Sequence, residues 1–74
     1  MILDRFDKSI LTELQRDGRI SNVQLAERVN LSPSACLRRV QDLERSGIIK
    51  GYRAVTDPGR MGRGFTAYVM VGLS

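Results

Sequence analysis

The chain has 74 residues, enough for one small domain that buries only about 60% of its unfolded surface, and a second complete domain is excluded. Apolar residues make up 42% and charged residues 27%, ordinary globular proportions that exclude a disordered or collagen-like chain. Twelve Lys and Arg against eight Asp and Glu leave +4, which puts a polyanion first among partners, while the absence of His and a single cysteine, Cys36, exclude a disulfide framework, a zinc site and a His-dependent base.

Leu3, Phe6, Ile10 and Leu14 recur at spacings of three and four, with Leu11 widening the stripe, and this predicts an amphipathic helix over 5–17. Asp4 is its cap, Asp7 places a carboxylate in the first turn, and Gly18 is the expected left-handed stop. Ser21-x-x-Gln24 has the form of a capping box opening a second helix, with Val23, Leu25, Ala26 and Val29 as its buried stripe and Asn30 as its end. Ser32-Pro33 then combines a side-chain cap with proline at the first helical position, where the missing amide hydrogen is harmless. The third helix is expected to run to about Ser46, with Gly47 as its stop and Cys36, Val40 and Leu43 on its buried face. The intervening break, Asn30 to Ser32, has the length of the turn in a helix-turn-helix.

Beyond Gly47, residues 48–55 are rich in β-branched and aromatic side chains and predict a strand, a wing beside the third helix. Residues 58–64 hold Gly59, Gly62 and Gly64 with Arg60 and Arg63 and show neither period, so they read as a hinge. The glycines are a weak phosphate-loop signal, because the stretch precedes a strand and opens no helix. Phe65, Ala67, Val69, Val71 and Leu73 alternate with their neighbours over 65–74, the mark of a half-buried strand whose open edge needs a partner. The fold class is therefore mainly α, a winged helix-turn-helix of three helices and a short β wing, with an extra C-terminal strand.

The charge is uneven. Residues 1–31 carry five basic and five acidic side chains, whereas residues 32–74 carry seven and three, so an electrostatic footprint belongs to the second half. Around the third helix, with Cys36 at zero and 100° per residue, Val40 and Leu43 lie within about 40°. Ser34, Leu37, Arg38, Gln41 and Arg45 fall on the far side, with Arg39 and Asp42 on the flanks. Short residues and Arg or Gln at such positions suit close approach to the major groove and bidentate contacts to base edges, which marks Ser34, Arg38 and Gln41. Arg39 and Arg45 are expected to reach phosphates. Leu37 suits a thymine methyl or a partner surface. Ser21 and Ser32 are helix caps whose neighbouring amides can also face a phosphate. Lys50, Tyr52 and Arg53 on the wing either touch the sugar-phosphate backbone or guard a strand edge. Cys36 reads as a small core residue, not a nucleophile.

These residues resemble the N-terminal half of the leucine-responsive regulatory protein and AsnC (Lrp/AsnC) family of prokaryotic transcription regulators. The likeness rests on Leu3-Asp4, Asp7, Ile10-Leu11, Leu14 and Asp17-Gly18-Arg19-Ile20-Ser21. It continues through Leu31-Ser32-Pro33-Ser34, Arg38-Arg39-Val40, Leu43-Glu44, Gly47-Ile48-Ile49, Gly51-Tyr52 and the Pro58 to Gly62 connector. The resemblance implies a DNA-binding domain over 1–56, a hinge over 57–64 and, over 65–74, the first strand of an amino-acid-binding α/β domain that is otherwise absent. It further implies double-stranded DNA as partner, a homodimer through the C-terminal strand or the missing domain, and an amino-acid effector acting on that domain. No enzyme activity, cofactor or membrane association is expected. Asp4 and Asp7 stand where a leader would need a basic and then apolar stretch, so the expected location is the prokaryotic cytoplasm, on the nucleoid. The alternative is a winged-helix module that docks another protein through the third helix or the terminal strand.

Overall fold

Asp4 begins the first helix by reciprocal capping. Its Oδ1 accepts the Asp7 amide at 2.9 Å, and Asp7 Oδ2 accepts the Asp4 amide at 3.3 Å, so two of the amides that a helix start leaves unpaired find carboxylates. The computed structural model describes residues 1–62, in which α1 spans Arg5–Arg16, α2 Asn22–Val29, α3 Pro33–Arg45 and α4 Pro58–Met61. The first three match the helices expected from periodicity to within a residue or two.

Their ends show which local signals act. Asn30 is left-handed at φ 60 and closes α2. Ser32 Oγ accepts the Ala35 amide at 3.2 Å, and Pro33 takes the first position of α3. Gly47 adopts φ +85, a region in which a side chain on that residue is strained. Its amide donates to the Glu44 carbonyl, and the Ile49 amide donates to that of Leu43, folding the chain back. Gly18, in contrast, is not the left-handed stop expected of it. The cap Asp17 is extended, and its carboxylate accepts the Arg19 amide at 2.9 Å, so an aspartate-led turn ends α1. Ser21 Oγ accepts the Gln24 amide at 3.2 Å, yet the Gln24 side chain returns no bond, and the expected capping box is half made.

One core joins the three helices: Ile10 from α1, Leu25, Ala26 and Val29 from α2, Cys36 and Leu43 from α3. Leu3, Leu11, Leu14, Ile20, Leu31, Val40 and Ile49 seal its edges. Burying each large aliphatic side chain contributes about 1.5–3 kcal/mol. α3 packs most extensively on α2 and least on α1. Val23 departs from its expected place and is 61% exposed, because a residue two positions before Leu25 lies about 160° from it around the helix.

The wing strand expected at 48–55 does not form among the described residues, where residues 51–57 have no regular structure. A strand exists only through hydrogen bonds to a neighbouring backbone, and no backbone bond joins residues 50–56 to another described segment. The connector expected to lack any period instead makes one helical turn, α4. Asp57 caps it by accepting the Gly59 amide at 2.9 Å, and Pro58 opens it. The strand expected at 65–74 lies outside the described residues.

Candidate nucleic-acid interface

The two halves of the helix-turn-helix are locked where they meet. Asn22 Nδ2, at the start of α2, donates to the Pro33 carbonyl at the start of α3 over 2.8 Å. This link was not visible in the sequence, because an asparagine beside a cap has no periodic signature. Glu13 Oε1 and Arg28 Nη1, 3.0 Å apart, tie α1 to α2. The body therefore presents α3 as a fixed ridge.

With Cys36 and Leu43 fully buried, the opposite side of α3 faces solvent and carries Ser34, Leu37, Arg38, Gln41 and Arg45, all exposed. Ser34, Arg38, Gln41 and Arg45 follow one another at spacings of four, three and four, forming a stripe about 16 Å long. The Arg38 side chain makes no hydrogen bond or ion pair among the described residues. Arg45 Nη1 lies 3.3 Å from Asp42 Oδ1, the arginine largely and the aspartate about half exposed, a surface pair weak enough to exchange for another anion. Ser32 and Ser34 hydroxyls stand 3.4 Å apart at the N-terminus of α3, and Ser21 is likewise an exposed cap. Leu37 is 45% exposed.

Arg39 goes elsewhere. Its Nη1 lies 2.8 and 2.7 Å from the two oxygens of Asp4 and 3.2 Å from Asp7 Oδ1. The bond from the Asp7 amide, aided by the Arg39 guanidinium, holds the Asp4 carboxyl below its ordinary value. Asp4 thus favours the fold above the ordinary carboxylate range, and that contribution is lost as pH falls through its lowered value.

Lys50, Tyr52 and Arg53 are exposed on the irregular segment after α3. Tyr52 Oη donates to Glu44 Oε2 at 2.8 Å. Partial burial, then this bond and the Glu44 charge, push its phenol up to about 12. A shallow groove separates this segment from the end of α1, with Leu11, Leu14 and Ile49 as its floor and Arg19, Lys50 and Arg53 along it. Arg19 is a further cation that helical periodicity passes over, since it sits in a turn. Cys36 is buried in the core, where burial raises its thiol pKa. Among the described residues no group of three or more Cys, Asp or Glu is placed to hold a metal ion. No described helix is long and apolar enough to cross a membrane.

Residues 3–50 match the family model described as winged helix-turn-helix DNA-binding. The leucine-responsive regulatory protein of Rhizobium meliloti is 55% identical over 71 residues, covering 96% of this chain and 46% of that protein. That of Escherichia coli K12 is 51% identical over 72 residues, covering 97% and 44%. Among solved structures, LrpC of Bacillus subtilis superposes with a TM-score of 0.80 at 40% identity, covering 84% of this chain and 44% of that one. A transcriptional regulator of Neisseria meningitidis, solved as an L-Met complex, gives 0.78 at 51% identity, covering 80% and 38%. The chain spans less than half the length of these relatives.

Proposed function

The chain belongs to the winged helix-turn-helix DNA-binding family, as the helix-turn-helix domain of its Lrp/AsnC regulators, and on that premise we propose that α3 enters the major groove and reads sequence there. The exposed stripe of Ser34, Arg38, Gln41 and Arg45 supports this most directly. It is the one face of α3 with unburied hydrogen-bonding side chains at helical spacing, and Arg38 has no partner among the described residues to surrender. Arg38 and Gln41 have the bidentate geometry that guanine and adenine edges require, Ser34 allows close approach, and Leu37 meets a thymine methyl. Arg45, Lys50, Tyr52 and Arg53 take the sugar-phosphate backbone, together with the amides behind Ser21 and Ser32. The family match supports this over a protein-docking module.

We further propose that the domain over 1–56 is followed by a hinge over 57–64 and, over 65–74, by the first strand of an effector domain. Two copies bind a pseudo-palindromic site in the prokaryotic cytoplasm, on the nucleoid, under control of an amino acid. The L-Met bound to the Neisseria regulator supports an effector of that class. No catalytic step is proposed.

Selection of bound duplexes from a random pool at stated salt supplies the probe. Arg38→Ala is expected to cost about 1–3 kcal/mol on the selected duplex and to relax preference at one base position. Equal weakening on selected and random duplexes would remove Arg38 from base reading.

A further inference from the structure

α3 carries three arginines, and one of them points into the molecule. Arg39 sits about 60° around the helix from Cys36, on the flank nearest α1, and its side chain is 31% exposed. A single nitrogen, Nη1, reaches both oxygens of Asp4 and Oδ1 of Asp7, residues 35 and 32 positions earlier in the chain. The guanidinium also lies over the Phe6 ring, its Cζ 5.2 Å from the centroid.

Three features make this joint more than a surface ion pair. The Asp7 side chain is only 5% exposed, and Arg39 is the cation beside it, so the contact answers a buried charge that is costly to leave alone. The guanidinium stands at the start of α1, where the helix dipole repels cations, and it is held there by two carboxylates. α1 and α3 also pack less extensively than the other helix pairs, so this contact weighs heavily in setting the angle between them. With its single charge set against two carboxylates, Arg39 has none left for a phosphate, while Arg5 lies over the same Phe6 ring outside that grip.

We propose that Arg39 is a positioning residue of the DNA interface: its grip on Asp4 and Asp7 fixes the angle at which α3 presents Ser34, Arg38 and Gln41. This rests on the reading of α3 as the groove-entering helix and replaces the expectation that Arg39 touches phosphate. Bidentate base contacts tolerate only small errors in approach. Loosening the joint therefore removes discrimination between duplexes while leaving the count of phosphate contacts unchanged.

The test measures affinity of the full chain for the selected duplex and for a random duplex across a salt series, for wild type, Arg39→Gln and Asp4→Asn, with circular dichroism to confirm folding. Asparagine caps a helix as well as aspartate, so Asp4→Asn weakens the grip without removing the cap and carries the test if Arg39→Gln does not fold. Both variants are expected to lower the ratio of selected to random affinity about fivefold or more, the worth of one bidentate contact, with the salt slope on random duplex unchanged. A slope smaller by about 0.9 in Arg39→Gln means that Arg39 neutralises a phosphate and overturns the proposal. An unchanged ratio in folded variants reduces the joint to a stability role and overturns it too. A wild-type ratio of one removes the groove reading and the positioning role together, whereas the preceding outcomes remove the positioning role alone.

Discussion

From Arg5 to Arg45 the chain pairs its own backbone within three helices and sinks six side chains into a common core, whereas from Lys50 to Thr56 it makes no backbone bond to another described segment and rests on Tyr52. Both stretches hold β-branched and aromatic residues, so composition does not separate them. A helix closes its hydrogen bonds within four residues, while a strand borrows its partners from elsewhere. The cations on the two regions differ accordingly: Arg38 stands on a ridge locked at its start by Asn22, and Lys50 and Arg53 stand on a segment pinned by one phenol.

That contrast is open to attack. Leu43→Ala removes a fully buried side chain where α3 meets the core and is expected to destabilise by about 2–5 kcal/mol in urea unfolding; a loss no larger than that from a change in the 50–56 segment breaks the distinction. Tyr52→Phe is expected to lower global stability by less than about 1 kcal/mol, while tryptic cleavage at Lys50 and Arg53 quickens and hydrogen exchange in α3 does not. In a Tyr68→Phe background the remaining phenol should titrate near 12 rather than 10, with Glu44→Gln drawing it back. Because the folded value is raised, the Tyr52 contribution is complete below pH 10 and is lost as pH rises through 12. Val23→Ala, on the exposed side of α2, should leave the unfolding midpoint within about 0.5 kcal/mol of wild type. A larger loss would place Val23 in the core after all.

Much of this fold was legible because its signals are short in range. Asp4, Ser32-Pro33, Asn30 and Gly47 each act on amides or carbonyls a few residues away, and the structure finds all four at helix ends. Gly18 misled because a glycine after an aspartate suits both a left-handed stop and an aspartate-led turn, and the Arg19 amide decides between them. Val23 was grouped with Leu25 by its apolar character against its own angular position. The outer stripe of α3 was readable from the wheel once Cys36, Val40 and Leu43 had been placed inward.

The sequence by itself determined three capped helices, the length of the turn between the last two, and which side of α3 meets water, since each follows from residues close enough along the chain to bond one another or share a face. Only the tertiary structure decided that Arg39 is matched to Asp4 and Asp7, that Asn22 holds the start of α3, and that residues 51–57 stay irregular. The partners of Arg39 lie more than thirty residues away, and a charge finds a partner at that distance through packing, which no local pattern encodes.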